Sequence, residues 1–401
     1  MKILVDAAMP YWQEYFADYT DVQAFTAGTI NEYELSKVNV LLVRSTTKVN
    51  QALLNKMPEL EFVGTATAGY DHFDIEAIEK RGIKWTAAGG CNAQAVCQYV
   101  LCALLNLACD DSFLLSEKRI AVVGHGNVGS KVAACLRKWG ADVLIYDPPQ
   151  QRDFKEQPVS TNSVQYCSFE DVLASDIICI HSPFNSDVEF PSKHMFNKSV
   201  LARLHAKQYL INAGRGELID NAALLNIKQQ DAYNSVNLVL DVWENEPNIN
   251  RDLIQYCRYS SAHIAGHTLE GKAAGTDILY KKLKYHLKQA AKLDLSDFLP
   301  PFHLELPEAL QNQLMSKTYF DEKEGQFIVK QLCTCIYDIK NDDRVFRRYM
   351  AQSTSFAKLR QQYPVRREFS ALKVKTSQKS IAKLLAALGF CVSNSSSSSS
   401  Y

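Results

Sequence analysis

The chain of 401 residues is long enough for two or three domains, and 47% apolar with 22% charged residues is an ordinary globular composition. Lysine plus arginine and aspartate plus glutamate both number 44, so no net field would attract nucleic acid or an anionic membrane. The first residues predict a strand rather than a signal peptide, and no apolar run reaches the ~18 residues of a membrane span. We therefore expect a cytoplasmic protein that binds neither nucleic acid nor membrane.

Three short apolar runs predict buried strands of a parallel sheet, at residues 2–6, 39–45 and 61–69. Ligands of such sheets bind at the carboxyl ends of the strands. These ends carry Asp6, then residues 44–48, then residues 65–69. Because residues 44–48 combine hydroxyls with two cations, they suit an anionic group, although a solvated loop would show the same composition.

Residues 92–109 are nearly free of charge and have helical apolar spacing. This pattern predicts a helix that is buried between layers. Because it leads directly into a glycine motif, we place the first domain crossing here.

Residues 118–147 predict a strand, a glycine turn, a helix and a second strand that ends in an acid. Gly124 permits a tight turn, Gly126 lets the backbone approach a pyrophosphate, and Gly129 lets the helix pack closely on the strand. The helix directs its free N–H groups at the phosphates. Asp147 can accept hydrogen bonds from ribose hydroxyls and would repel a 2′-phosphate, which predicts NAD rather than NADP. A glycine turn in an unrelated α/β protein is the alternative.

The α/β alternation continues with strand ends at residues 176–183, 209–216 and 238–247. Residues 285–390 differ, with long polar helices before a short strand and a closing helix, and predict an added α/β module. The serine-rich tail is expected to be disordered.

The 11 cysteines are odd in number and scattered, which predicts reduced thiols rather than a disulfide framework. Cys333 and Cys335 come closest to a metal motif, but they lie in an apolar run where buried thiols are expected. We expect no metal.

Arg215, Glu244 and His263 each follow a predicted strand end, so all three could converge on one site. Taken singly, the histidine could be a satisfied core residue, and the arginine and glutamate could form a structural ion pair. Their shared placement favours a catalytic set.

The glycine motif, NAGRG, DVWENEP and HIAGHTLEG occur in this order, and together they resemble the D-2-hydroxyacid dehydrogenase family. MKILVDAAMPY, VRSTTKVN, VGTATAGYDH and GCNAQAV resemble one branch of it, which oxidises a 4-phosphorylated 2-hydroxy acid in vitamin B6 biosynthesis. The resemblance covers roughly residues 1–390. It implies two doubly wound α/β domains, flavodoxin-like and Rossmann, with a cleft between them, plus a C-terminal α/β dimerisation module and therefore a homodimer.

The expected domain limits follow from these motifs. They are a substrate-binding domain of residues 1–97 and 267–285, an NAD-binding Rossmann domain of residues 98–266, a dimerisation domain of residues 286–390, and a disordered tail of residues 391–401.

Oxidation of a 2-hydroxy acid needs a base for the hydroxyl proton while the C2 hydride leaves for the nicotinamide. His263 suits that role because imidazole titrates near neutrality. A hydrogen bond from Glu244 to its other nitrogen would fix the tautomer. Arg215 can grip the carboxylate of the substrate with paired N–H donors.

The resemblance also implies contacts to the cofactor. Asp241 is expected to bind the nicotinamide carboxamide, and the remaining expected contacts are the backbone at Asn127 and Val128 and the cleft lining at Ser182, Ala213 and Gly266.

Ser45 and Thr67 resemble the substrate-contacting positions of the family, and we expect the 4-phosphate near Arg44, Ser45 and Lys48. His267 stands where relatives carry a tyrosine, so an imidazole replaces a hydroxyl at the expected substrate site.

Two alternatives remain open from the sequence. The chain could oxidise another acid of the family, such as 3-phosphoglycerate, glyoxylate or hydroxypyruvate, or lactate. It could also be an NAD-sensing scaffold that kept the fold and lost the chemistry. Residues 285–390 disfavour a plain two-domain member, and the intact Arg215, Glu244 and His263 disfavour a scaffold.

Overall fold

The structure, a computed structural model, divides the chain into two compact units. Unit 1 comprises Met1–Gln94 and His267–Pro301, and unit 2 comprises Ala95–Gly266 and Phe302–Tyr401. The residues that the structure describes are 1–156, 164–185, 189–231, 233, 235–302, 304–316, 319–352 and 355–394.

The strands are β1 Lys2–Asp6, β2 Val22–Phe25, β3 Val38–Val43, β4 Phe62–Thr65, β5 Lys84–Ala87, β6 Arg119–Val123, β7 Asp142–Tyr146, β8 Ile177–Ile180, β9 Tyr209–Asn212, β10 Asn237–Leu240, β11 Cys257–Ser260, β12 Lys373–Thr376 and β13 Cys391–Asn394. The α-helices are α1 Trp12–Tyr15, α2 Gln51–Leu54, α3 Ile75–Lys80, α4 Ala93–Asp110, α5 Asn127–Lys138, α6 Pro148–Glu156, α7 Phe169–Leu173, α8 Lys198–Leu201, α9 Asn221–Gln230, α10 Leu269–His286, α11 Glu308–Ser316, α12 Glu322–Ile336, α13 Ile339–Ala351, α14 Phe356–Gln361 and α15 Lys379–Ala387. Short 3-10 helices lie at Ile30–Glu32, Leu115–Glu117, Gly216–Leu218, Arg251–Tyr256, Leu295–Asp297 and Phe369–Ala371.

Unit 1 is built on a five-stranded parallel sheet with the order β2-β1-β3-β4-β5. This order is the flavodoxin-like one, and it confirms the first of the two expected doubly wound folds. The central strands read as apolar runs because helices cover both faces of the sheet. Helices α2 and α3 lie on one face, and α1 and α10 on the other.

Helix α10 packs closely on the loop that follows β4. A Cβ at Gly275 would lie 2.3 Å from the carbonyl oxygen of Ala66, so only glycine fits this contact. Beyond α10, Phe298 stacks on Tyr11 with ring centroids 5.6 Å apart. Residues up to Pro301 therefore belong to unit 1, whereas the sequence suggested that the C-terminal module begins at residue 286.

Unit 2 contains a six-stranded parallel sheet with the order β11-β10-β9-β8-β6-β7. The order reverses direction between β6 and β8, which places a topological switch point at the glycine motif. The expected Rossmann-like domain is confirmed.

Helix α4 is the apolar helix that the sequence predicts at residues 92–109. Within the described residues it is the one helix with the length and composition of a membrane span, but most of it is buried. Its buried residues share a core with β6, β8 and β9, so it has the environment of a globular core helix, as expected.

The C-terminal residues share that same core rather than forming a separate body. The guanidinium of Arg347 in α13 donates to the carbonyls of Ile254 and Cys257 at 2.8 and 2.7 Å. The carboxylate of Asp343 accepts from the amide and hydroxyl of Ser260 at 2.8 and 2.6 Å. The expected added α/β module is present, and it packs directly against the edge strand β11.

The tail begins later than expected. Strand β13, Cys391–Asn394, pairs in parallel with β12, which makes these four residues part of the fold instead of the disordered tail. Pairing satisfies backbone groups that the serine-rich composition alone would leave solvated. Residues 395–401 lie outside the described part of the chain.

Candidate active site

The glycine turn after β6 has the geometry that a dinucleotide needs. Gly124 has φ +89°, and a Cβ there would lie 2.6 Å from the amide nitrogen of Ser182, which follows β8. A Cβ at Gly129 would lie 1.8 Å from the carbonyl oxygen of Gly124, so α5 packs directly on the turn. A Cβ at Gly126 would meet no atom within 4 Å. The turn is therefore closed on the protein side and open at Gly126, which fits a pyrophosphate.

Helix α5 begins at Asn127, followed by Val128, and Gly126 supplies no capping side chain. The first N–H groups of the helix are thus directed at the open side of the turn, as an anion at a helix N-terminus requires. These are the two backbone positions that the sequence assigns to the pyrophosphate.

Asp147 ties the glycine turn to the end of β7. One carboxylate oxygen accepts from the amide of His125 at 2.7 Å, and the other accepts from the amide of Gln150 at 3.1 Å. Each oxygen keeps a further lone pair, so ribose hydroxyls can still be bound. The acid that predicts NAD therefore lies beside the predicted pyrophosphate site.

The other residues assigned to the cofactor follow neighbouring strands of the same sheet. Ser182 follows β8, Ala213 follows β9, and Gly266 lies beyond β11; all three are half-buried. They therefore share the carboxyl edge of the sheet.

Asp241, at the end of β10, organises the loop that carries His263. Its buried carboxylate accepts from the Ser261 hydroxyl and the Ile264 amide at 2.7 Å each, and from the Ala265 amide at 3.0 Å. Its backbone carbonyl accepts from the amide of His263 at 2.7 Å. Asp241 is thus mainly engaged inside the protein, and its contact to the nicotinamide carboxamide stays a prediction.

His263 pairs with Glu246, not with Glu244. The distance from His263 Nδ1 to Glu246 Oε2 is 2.7 Å. Glu244 instead bonds His194 Nε2 at 2.6 Å and accepts from the Asn221 amide at 3.2 Å. The expected bond between Glu244 and His263 is therefore wrong.

The error has a structural cause in the DVWENEP segment. Asn245, between the two glutamates, has φ +62°, so the backbone turns sharply and the two carboxylates have different partners. Both glutamates follow the same strand end, and strand placement could not choose between them. The second acid in the motif was the available signal for Glu246.

Glu246 is held as a carboxylate. Burial tends to raise its pKa, but the charge and hydrogen bond of His263, the amide of Trp243 and the charge of Arg360 outweigh burial. The pKa of Glu246 therefore lies below its ordinary value. The Trp243 amide donates to Glu246 Oε1 at 2.8 Å, so both carboxylate oxygens are fixed.

Arg215 lies on the loop after β9, next to the segment that carries Glu246. A Cβ at Gly216 would lie 2.0 Å from the carbonyl carbon of Trp243, so the two segments are in direct backbone contact. Arg215 is half-buried, and its Nη1 donates to the carbonyl of Gly214 at 3.0 Å. Arg215, Glu246 and His263 thus follow the three neighbouring strands β9, β10 and β11.

In unit 1, the predicted phosphate residues lie at the switch point of the sheet, between β1 and β3. Arg44 follows β3 and its Nη1 donates to the carbonyl of Ala8, beyond β1, at 3.0 Å. Ser45 and Lys48 are exposed, and Arg44 is half-buried. The structure therefore brings these three residues to one loop at a position where α/β sheets bind ligands.

Thr67 is part of a hydrogen-bonded chain at the end of β4. Its hydroxyl lies 2.6 Å from that of Thr65, which in turn lies 3.0 Å from His72 Nε2. Burial lowers the pKa of His72 to about 4, so its ring stays neutral near pH 7. His267 is half-buried and immediately precedes Thr268, whose hydroxyl caps α10 by accepting from the amide of Gly271.

Among the described residues, His194, Asp220 and Glu244 have ligand atoms close enough to hold a metal ion. Hydrogen bonds within the protein already engage all three side chains, since His194 bonds Glu244 and Asp220 caps α9 by accepting from the amide of Ala223 at 2.8 Å. We assign no metal to this group.

Comparison with known proteins agrees with this geometry. The family model described as D-isomer specific 2-hydroxyacid dehydrogenase, NAD binding domain, matches residues 109–267. A second model, described as a domain of unknown function, matches residues 306–389.

Two curated relatives align over nearly the whole chain. Erythronate-4-phosphate dehydrogenase of Psychromonas ingrahamii is 38% identical over 390 residues, which are 97% of this chain and 96% of the relative. The enzyme of the same name from Proteus mirabilis is 40% identical over 392 residues, 97% of this chain and 99% of the relative.

Solved structures support the fold. D-lactate dehydrogenase from Aquifex aeolicus, solved with NAD and lactic acid, matches with a TM-score of 0.57 and 23% identity, over 72% of this chain and 96% of that chain. A glyoxylate/hydroxypyruvate reductase from Sinorhizobium meliloti matches with a TM-score of 0.59 and 22% identity, over 73% and 96%. At these identities the likeness concerns the fold alone.

The glycine turn and the histidine–carboxylate pair at the carboxyl edge of one sheet define an NAD-dependent 2-hydroxyacid dehydrogenase of the D-isomer specific class. The full-length identity to the curated relatives is more specific. The chain belongs to the erythronate-4-phosphate dehydrogenase family. The resemblance based on the sequence motifs and the expected cofactor NAD are confirmed.

Proposed function

We propose that the chain oxidises 4-phospho-D-erythronate to 3-hydroxy-2-oxo-4-phosphobutanoate with NAD, as a step of pyridoxal 5′-phosphate biosynthesis. The observation that carries this proposal is the hydrogen bond between His263 and Glu246 on an NAD-binding sheet. The substrate comes from the shared name of the curated relatives.

His263 acts as the base. Because Nδ1 lies 2.7 Å from a carboxylate, the neutral ring carries its proton there and keeps a lone pair on Nε2. Nε2 takes the proton of the C2 hydroxyl, and NAD, when bound, would supply the acceptor for the C2 hydride. Glu246 stabilises the imidazolium that results, and it is suited to this role because its pKa is lowered. Glu246 therefore has the role that the sequence motifs assign to Glu244.

Arg215 holds the carboxylate of the acid and polarises the C2 oxygen. Its guanidinium offers paired donors, and its loop is fixed against the Glu246 segment through Gly216. The turn of Gly124 to Gly129 would hold the pyrophosphate of NAD, and Asp147 would bind its adenosine ribose.

We also propose substrate contacts for residues of unit 1. Arg44, Ser45 and Lys48 bind the 4-phosphate, and Thr67 and His267 contact the carbon chain. The position of the phosphate loop at the sheet switch point supports this assignment. The hydrogen bonds from His72 to Thr65 and from Thr65 to Thr67 fix the hydroxyl of Thr67, and the His72 ring stays neutral near pH 7.

We further propose that the protein is a homodimer that pairs through its C-terminal residues. Several large apolar side chains there are exposed, among them Phe327 at 47% and Val365 at 77% of full exposure. Exposed apolar side chains are a common feature of association surfaces. All 11 cysteines are free thiols, which supports a location in the reducing cytoplasm.

The test is NADH fluorescence after purified enzyme is mixed with NAD and 4-phospho-D-erythronate, and separately with 3-phospho-D-glycerate or D-lactate. Enzyme at stoichiometric concentration reveals a first turnover even where product release is slow. A signal with phosphoerythronate alone supports the proposal. A signal only with another acid would support the same mechanism on a different substrate. The absence of NADH formation with all three acids, in wild type and in His263→Ala alike, would support a scaffold.

A further inference from the structure

The loop that carries His263 is held from two sides by different parts of unit 2. Its amides at His263, Ile264 and Ala265 all donate to Asp241, through that residue's backbone carbonyl or its carboxylate. Its carbonyls instead accept from the C-terminal residues. Arg360 Nε donates to the carbonyl of His263 at 3.1 Å, and Arg366 Nη2 donates to the carbonyl of Ala265.

This double attachment matters because His263 has a backbone conformation that histidine does not favour. Its φ is +55°, in the left-handed region where a Cβ is crowded. Such a conformation persists only where the surroundings hold it, and it is found mainly at functional sites. The amide bond to Asp241 fixes one end of the residue, and the carbonyl bond to Arg360 fixes the other.

Arg360 also takes part in the electrostatics of the catalytic pair. Its charge is attracted by Glu246 and Asp241 and opposed by Arg215, and burial lowers its pKa without removing its charge near pH 7. The ionised form of Glu246 is favoured in turn by the hydrogen bond of His263 and by the charge of Arg360. The guanidinium therefore acts on both members of the pair, on one by a hydrogen bond and on the other by charge.

We propose that Arg360 is a positioning residue of the reaction, which holds the His263 loop and the Glu246 carboxylate in their working arrangement. The C-terminal segment, which matches a family model of unknown function, thereby completes the catalytic centre of its own chain. This inference rests on the proposed dehydrogenase function, but it does not depend on which 2-hydroxy acid is oxidised.

Arg360 is a better test than Arg366. Arg366 is buried, with its guanidinium 4.3 Å above the ring of Tyr337, so its replacement would disturb the core. Arg360 is half-buried on the short helix α14. Lys358 of the same helix is exposed, and its side chain makes no hydrogen bond or ion pair among the described residues, so Lys358→Met is a matched control.

The variants Arg360→Met, Arg360→Lys and Lys358→Met are compared with wild type, using whichever acid the wild type oxidises. A misplaced base lowers the rate of the chemical step, so Arg360→Met should lose about 10- to 100-fold in kcat while KM changes less than about twofold. Loss of the Arg360 charge should raise the pKa of Glu246, so the acid limb of the kcat profile of Arg360→Met should move to higher pH. Arg360→Lys keeps the charge and should restore the position of that limb.

A second readout does not need turnover. The carboxyl signal of Glu246 is followed by NMR against pH in labelled protein, and Arg360→Met should move the titration of Glu246 to higher pH, because the carboxylate loses a neighbouring cation. Thermal unfolding of Arg360→Met and Arg360→Lys identifies a loss of folding. A wild-type protein that oxidises none of the acids refutes the proposed function. The NMR titration does not need turnover, so it still tests whether Arg360 acts on Glu246.

Three results would overturn the inference. One is an Arg360→Met variant with the kcat and pH profile of Lys358→Met. Another is a raised KM with unchanged kcat, which would make Arg360 a substrate ligand instead. The third is a folded Arg360→Met protein in which Glu246 titrates at the same pH as in wild type.

Discussion

The two glutamates of the DVWENEP segment offer a matched pair of substitutions, Glu246→Gln and Glu244→Gln. Each substitution replaces a carboxylate by an amide of the same size, and the two residues lie two positions apart on one turn. Only Glu246 bonds the catalytic histidine, at 2.7 Å, while Glu244 bonds His194 at 2.6 Å. The structure therefore assigns a large effect on the reaction to Glu246→Gln and a small one to Glu244→Gln.

The magnitude follows from the charge that develops during oxidation. When His263 takes the hydroxyl proton, its ring becomes an imidazolium, and a hydrogen bond to a charged partner contributes about 1.5–3 kcal/mol. An amide at position 246 offers no charge, so most of this stabilisation is lost in the transition state. At about 1.4 kcal/mol per factor of ten, kcat should fall by about 10- to 150-fold. Glu244→Gln should stay within about threefold of wild type, because it leaves the His263–Glu246 bond in place.

The assay is kcat from NADH formation at saturating acid and NAD across a pH series. Stability gives a second check, since the pKa of Glu246 is lowered by its native partners. A lowered carboxyl pKa adds stability that is present above the ordinary value near ~4.3 and disappears as pH falls through the lowered value. In Glu246→Gln, the free energy of unfolding should therefore fall less at low pH than in wild type, because the variant has no carboxylate to protonate at this position. An inactive Glu244→Gln beside an active Glu246→Gln would refute the assignment of the pair.

Three further outcomes follow from the cofactor turn, the phosphate loop and the C-terminal surface. Asp147→Asn should weaken the preference for NAD over NADP, measured as the ratio of kcat/KM for the two cofactors, because the 2′-phosphate no longer meets a carboxylate; an unchanged ratio would contradict this role. Arg44→Glu and Lys48→Glu should each raise KM for the phosphorylated acid at least about tenfold with less effect on a non-phosphorylated one, and equal effects on both acids would remove the phosphate from this loop. Phe327→Lys should convert the proposed dimer to a monomer on a sizing column, whereas a variant that still runs as a dimer would exclude this surface.

The sequence predicts the parts of the fold whose signal is local. Strands β1, β3 and β4 are buried on both faces and read as apolar runs, so they are identified from the sequence. Edge strand β2 is only partly buried, with Phe25 as its one buried residue, and gives no apolar run. Both edge strands of this sheet, β2 and β5, were therefore missed. Local periodicity follows burial, and an edge strand is only partly buried.

In the candidate site, too, the sequence predicts the local features and misses the contacts that depend on the three-dimensional fold. The glycine turn is a local motif, and Gly124 and Gly129 have the φ angle and the close contact that their places in it require. The partner of His263 depends instead on the turn at Asn245, whose φ of +62° no composition rule predicts. The bond from Arg360 to His263 joins residues 97 positions apart. Contacts at that separation arise from packing, and a single sequence does not record them.

The shared core of unit 2 changes how the C-terminal residues can be tested. Deletion of residues 302–394 would remove the exposed Phe327 surface, but it would also uncover core side chains such as the buried Trp243, whose ring packs on Phe346, and leave the carbonyls of His263 and Ala265 without their arginine donors. A truncated chain would therefore lose pairing, stability and activity together, and the loss would not identify a role. Single substitutions separate these effects: Phe327→Lys should change the oligomeric state and spare kcat, and Arg360→Met should do the reverse. If both substitutions changed both properties, pairing of the protomers would itself be a condition for the arrangement of His263.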